Sequence, residues 1–147
     1  MHKTWVHEGG ACTPLVAHWP KGIQGKGWIS DRVGHVIDLV PTVLELAGLP
    51  AEKKAGPAYP GTSLNAVFKG KEQAPPRDLW WAHDGHRAYR SGDWKIVSKK
   101  GRGWELYDLG EDRTERKDLA GSKKEKLKEL ADQWEKTVDG FVEDLKN

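Results

Sequence analysis

The sequence predicts an α+β chain: a four-stranded antiparallel sheet packed by a long C-terminal helix, preceded by a strand and a short helix. Three observations predict it. Four short strand-like runs between residues 79 and 108 are separated by turn signals. Beyond Ser122, apolar side chains recur with helical period. Ahead of a proline-bearing stretch lie one apolar run, Leu15–Trp19, and one helical pattern, Asp38–Ala47.

The strands follow from their turns. Leu79-Trp-Trp-Ala-His83 and His86-Arg-Ala-Tyr-Arg90 flank Asp84-Gly85, a strong signal for a two-residue hairpin. Ser91-Gly92 turns the chain again. Trp94 to Ser98 is the third strand, with Trp94, Ile96 and Ser98 on one face. Lys99–Gly103 is the third turn, and Trp104 to Tyr107 the fourth strand. Ser122 and Glu125 form a capping box for the last helix. Leu127, Leu130, Ala131, Trp134, Val138, Phe141, Val142 and Leu145 then share one face. A helix of about 23 residues reaches ~35 Å, enough to cross four strands. Gly140 costs it roughly 1 kcal/mol against alanine, so fraying is expected there.

Upstream, Leu15–Trp19 reads as a short buried strand bounded by Pro14 and Pro20. Gly22 to Gly34 reads as a polar loop. Asp38 is the expected N-cap of a short helix, with Pro41 in its first turn and Gly48 as its stop. Val40, Val43, Leu44 and Ala47 form its expected apolar face. Leu49 to Gly61 carries three prolines and a lysine pair, and reads as the boundary between the two halves of the chain.

Composition excludes several functions. The chain of 147 residues has 24 basic and 22 acidic side chains, a net charge of +2. That balance gives no reason for a nucleic-acid or anionic-membrane partner. No apolar run approaches the ~20 residues that span a bilayer, and the first residues show no signal-peptide pattern. One cysteine excludes an internal disulfide. Of the eight tryptophans, most are expected in the core, with some lining a cleft.

The chemistry-bearing residues begin with Lys3. It stands five residues before Glu8-Gly9-Gly10, on a tight turn that leads toward the predicted strand. A lysine there suits an anion, because charge-assisted hydrogen bonds to sulfate or phosphate oxygens are strong. A solvated surface lysine is the alternative. His83 and His86 flank the hairpin turn, with Arg87 and Arg90 beside them. This His and Arg cluster could reach an anionic substrate, or could be an ordinary exposed turn. Glu111, Asp112, Glu115 and Asp118 follow the last strand and read as a solvated face.

Lys3 through Glu8-Gly9-Gly10, Trp19-Pro-Lys-Gly-Ile23, Asp38-Leu-Val-Pro-Thr-Val-Leu-Glu-Leu-Ala-Gly48, Pro60-Gly-Thr-Ser-Leu64, Arg87-Ala-Tyr-Arg-Ser-Gly-Asp-Trp-Lys-Ile96 and Glu105-Leu-Tyr-Asp-Leu109 occur in the order of the formylglycine-dependent sulfatases. The chain resembles the C-terminal part of such an enzyme, an arylsulfatase-like member of the alkaline phosphatase superfamily. The resemblance implies a parent that hydrolyses sulfate esters with formylglycine and a divalent cation, Ca or Mg. It implies that Lys3 contacts the sulfate and that His83, His86 and Arg87 bind substrate. The family's metal ligands lie upstream of Lys3, so this chain holds no metal and no cofactor of its own.

Cys12-Thr-Pro14 has the spacing of the formylglycine motif Cys-x-Pro-x-Arg, but Val16 stands where arginine is required. Cys12 occupies the place of a family arginine and reads as a small, buried packing residue. The implied domains are 1–50, the end of the catalytic α/β domain; 51–78, a linker; and 79–147, the C-terminal subdomain. The implied partners are a sulfated small molecule or carbohydrate and the N-terminal catalytic domain. Self-association is expected through the apolar runs of the first fifty residues. The sequence assigns no compartment, and the resemblance is compatible with a periplasmic or secreted parent. Two alternatives remain: a stand-alone carbohydrate-binding or interaction module, and a phosphoester hydrolase fragment of the same superfamily.

Overall fold

The computed structural model describes residues 4–23, 25, 27–50, 59–71 and 77–144. Two compact units emerge. One joins Met1–Thr13 to Pro76–Asn147, and the other is Pro14–Pro75.

The first unit is built on the expected meander. Strands β1 (Asp78–His83), β2 (His86–Ser91), β3 (Trp94–Ser98) and β4 (Trp104–Asp108) pair antiparallel in chain order. Asp84 and Gly85, at φ 48° and 78°, form the two-residue turn that joins His83 to its partner His86. Positive φ at both positions is the type I′ geometry that matches strand twist. Helix α4 (Lys124–Asp144) runs unbroken through Gly140, where fraying was expected. It starts two residues after Ser122, whose hydroxyl donates to the Leu119 carbonyl at 3.1 Å.

Both faces of this sheet are covered. On one, Tyr89, Ile96 and Leu106 pack against Leu130 and Trp134 of α4, with Trp94 and Trp104 alongside. On the other, Ala88, Val97, Tyr107 and Leu109 enclose Val6, with Trp81 against them. Strand alternation sends neighbours to opposite faces, so Ile96 and Val97 both disappear from solvent without competing. Each such side chain contributes about 1.5–3 kcal/mol of burial. The outer edge of β4 is covered too. Leu119 N–H donates to the Leu106 carbonyl at 2.8 Å, and Leu106 N–H donates to Asp118 at 3.0 Å.

The second unit contains a 3-10 turn (Val36–Asp38), α2 (Leu39–Leu46) and α3 (Asn65–Phe68). Three expectations are corrected there. Leu15–Trp19 is not a strand, and Val16 is 88% exposed. A strand exists only against a partner ladder, and the described residues offer this run none. Asp38 does not cap α2 with its carboxylate. Its two oxygens accept instead from His35 N–H at 2.8 Å and Thr62 N–H at 2.9 Å.

The expected apolar face of α2 also points outward: Val40, Val43 and Ala47 are exposed, while Pro41 and Thr42 are buried. The cause is the segment after Pro60. Thr42 Oγ1 accepts Leu64 N–H at 2.8 Å, and Asp38 holds Thr62, so backbone hydrogen bonds turn the polar side of α2 inward. Gly61 permits this approach, because a Cβ there would lie 2.0 Å from the Ile37 carbonyl oxygen. Gly48 ends α2 as expected: Gly48 N–H donates to Glu45 and Leu49 N–H to Leu44, the Schellman pattern. Most of the Leu49–Gly61 linker lies outside the described residues. The tryptophans are less buried than expected. Trp134 is buried, whereas Trp19, Trp28 and Trp80 are exposed.

Candidate functional site

The sheet face opposite α4 carries a strap, residues Trp5 to Glu8, running into the short helix α1 (Glu8–Ala11). Three tethers hold it. Trp5 lies under the Lys99 ammonium, 4.5 Å from its ring, and beside His86 at 6.4 Å. His7 is 1% exposed, and its Nε2 lies 2.8 Å from Glu105 Oε2. A carboxylate only accepts, so Nε2 is the donor in this contact. Glu8 meets Lys95, whose Nζ is 2.6 Å from Glu8 Oε1 and 3.0 Å from Glu115 Oε1. Glu115 Oε2 accepts Glu8 N–H at 2.6 Å.

Glu105 gathers this face electrostatically. Burial pushes its carboxyl up, but hydrogen bonds from His7 and Tyr107 and the charge of Lys99 outweigh that and hold it below the usual glutamate value of 4.5. Tyr107 donates to it at 2.8 Å; burial first, then that bond, pushes the phenol well above its ordinary range. A depressed carboxyl stabilises the fold above its unfolded pKa, and that contribution is lost as pH falls through the folded value. Melting temperature is therefore expected to drop as pH falls below about 4.5, and Glu105→Gln is expected to flatten that drop. A Glu105→Gln profile parallel to wild type between pH 6 and pH 3 would contradict it.

The sequence-derived site residues separate by face. His83 and His86 are register partners at the β1–β2 turn and share the strap side. His83 is exposed, and His86 Nδ1 accepts Lys100 N–H at 3.4 Å. Arg87 lies on the α4 side. Its guanidinium sits 4.5 Å over Trp104 and 5.1 Å over Trp134, with Glu135 at 3.7 Å. Lys3 lies outside the described residues. Trp5, two positions after it in the chain, is the residue beside His86.

Two further expectations change. Cys12 is exposed, not buried, and lines a cavity of about 360 Å³ with Glu8, Gly9, Arg113 and Thr114. The acidic loop is a solvated face only in part. Glu115 is buried on Lys95, and Asp112 accepts the N–H groups of Arg116 and Lys117 at 2.6 and 2.8 Å. Asp118 binds β4, as above, but stays exposed, as does Glu111. Sequence reasoning missed Lys95 and Glu115. The available signal was a lone lysine beside Val97 on the second inward face of a strand.

No group of three His, Cys, Asp or Glu side chains able to hold a metal occurs among the described residues. Cys12 lacks the arginine of the formylglycine motif. The described residues therefore fit neither a hard divalent cation, which wants several converging oxygens, nor a formylglycine nucleophile.

The first unit is thus an antiparallel sheet backed by one long helix, with a strap on its other face. Residues 1–143 match the family model described as N-sulphoglucosamine sulphohydrolase, C-terminal, and the chain belongs to that family. An uncharacterized sulfatase of Schizosaccharomyces pombe is 30% identical over 91% of this chain and 26% of its own length. Among solved structures, one in complex with k-i-k-neocarrahexaose is 27% identical, with a TM-score of 0.53, over 67% of this chain and 23% of that one. Another, in complex with its substrate D-glucosamine-2-N,6-O-disulfate, shares the fold at TM-score 0.54 and 23% identity, over 72% of this chain and 24% of that one. The chain thus spans about a quarter of the length of these relatives.

Proposed function

We propose that this chain forms one wall of the substrate cleft of a sulfatase acting on a sulfated carbohydrate or small molecule. In this reading Lys3 holds a sulfate oxygen, and His83 and His86 contact the rest of the substrate from the same end of the sheet. Arg87 reaches that end from the α4 side, with about a third of its side chain exposed. Formylglycine and the divalent cation belong to the complete enzyme. The observation that carries the reading is the family match over residues 1–143. The position of Trp5, close behind Lys3 in sequence and beside His86, supports the grouping of Lys3 with the histidines.

The test is steady-state hydrolysis of a sulfated sugar by the complete enzyme with His83→Ala or His86→Ala. KM is expected to rise about tenfold, the worth of one hydrogen bond to a charged group, with kcat nearly unchanged. Wild-type KM in both variants would remove the histidines from the cleft.

The apolar side chains of the second unit give this reading a second consequence. Leu15, Val16, Ile29, Val36 and Val43 are all more than half exposed, and patches of this kind mark interfaces. The isolated chain is expected to self-associate, with a sedimentation coefficient that rises with concentration. One monomeric species at all concentrations would contradict this.

A further inference from the structure

We infer that Lys95 and Glu115 are positioning residues for the segment that carries Lys3, an inference that rests on the sulfate-binding role proposed for Lys3. The buried ammonium grips Glu8 and so fixes the strap on the sheet.

The geometry is a three-point clamp. Lys95 Nζ lies 2.6 Å from a carboxylate oxygen of the strap and 3.0 Å from one of the loop after β4. The Lys95 and Glu115 side chains are both 0% exposed. Glu115 then uses its other oxygen to accept the Glu8 backbone N–H at 2.6 Å, so it holds the ammonium and the strap's main chain at once. The Trp81 ring closes the site 5.5 Å from Nζ. Glu115 sits at φ 53°, a left-handed conformation that non-glycine residues adopt at a cost and that the surroundings must impose.

Stability alone does not account for this arrangement. Buried ion pairs add little over apolar side chains of similar volume. A methionine at position 95 would fill the space beside Val97 and Trp81 as well. What the charges add is direction. An apolar strap can slide on Val97 and Tyr107, whereas an oxygen 2.6 Å from an ammonium cannot. The clamp acts at Glu8, five positions after Lys3 and at the first residue of α1. It therefore fixes the strap into which the Lys3 segment leads in sequence.

The test is amide hydrogen exchange on this chain, read residue by residue. The strap offers four reporters: the N–H groups of Glu8, Gly10, Ala11 and Cys12, bonded to Glu115, His7, His7 and Glu8. Lys95→Met alone strands the buried Glu115 carboxylate and the part-buried one of Glu8, and can fail to fold. The decisive variant is the triple Lys95→Met, Glu8→Gln, Glu115→Gln, which keeps the shapes and removes every charge of the clamp. We expect it to retain slow exchange in β2, β3, β4 and α4 while the four reporters exchange at least tenfold faster. Wild-type protection at the reporters would overturn the inference. So would reporters that speed up only in step with the sheet, or a triple variant that does not fold, because the charges would then serve the fold as a whole. No sulfate is present in the experiment, so the clamp is decided whether or not Lys3 binds an anion.

Discussion

Trp134→Ala is expected to lower the stability of the sheet–helix unit by about 3–5 kcal/mol, the range for deleting a large aromatic from a core. Trp134 is 8% exposed and joins α4 to Tyr89, Ile96 and Leu106. Its ring meets Trp104 edge-on, with centroids 5.7 Å apart, and Arg87 lies 5.1 Å above it. Truncation would empty this junction, and the remaining rings are anchored on strands and cannot collapse into it. Trp134→Phe should cost much less. The indole Nε1 is buried without a hydrogen-bond partner among the described residues, and an unmet buried donor carries a penalty of about 1–3 kcal/mol. Phenylalanine removes that penalty while keeping most of the packing. Urea unfolding of both variants reads the difference. A Trp134→Ala loss within ~0.5 kcal/mol, the range of an ordinary surface change, would show that α4 is not fastened through this ring.

Lys3→Ala in the complete enzyme is expected to lower kcat by about 10²–10³, the size seen when one preorganised donor is removed from a developing charge. A sulfate ester is already negative, and charge moves onto the leaving oxygen as the S–O bond breaks. A lysine ammonium is a point charge with three rotatable donors and can follow that movement. An interaction of equal strength in ground and transition states would change KM alone, whereas one that strengthens along the reaction changes kcat. The fold should tolerate the substitution, because Val6, His7 and Glu8 tie the strap to the sheet.

The meander and α4 were legible in sequence because their signals are local. Asp84-Gly85 states its turn in two residues, and the apolar positions from Leu127 to Val138 state their helix by period alone. The strap was not legible in the same way. It depends on His7 meeting Glu105 and Glu8 meeting Lys95, pairs 98 and 87 residues apart that no local pattern announces. Glu115 was misread for that reason: among charged loop residues, nothing marks the one whose partner is a lysine hidden in a strand. Leu15–Trp19 and α2 fail on another ground. Apolar runs signal burial, but Thr62 and Leu64 bind Asp38 and Thr42 and decide which side of α2 faces inward. At the candidate site, sequence pointed to His83, His86 and Arg87 as one cluster, and strand alternation divides them between two faces.

Steady-state hydrolysis of an aryl sulfate by the complete enzyme and its Lys3→Ala variant, each beside its own melting curve, tests the account most directly. The predicted result is a kcat lower by about 10²–10³ in a variant that melts with wild type. Wild-type kcat in a normally folded Lys3→Ala enzyme would contradict it and leave Lys3 a solvated surface charge.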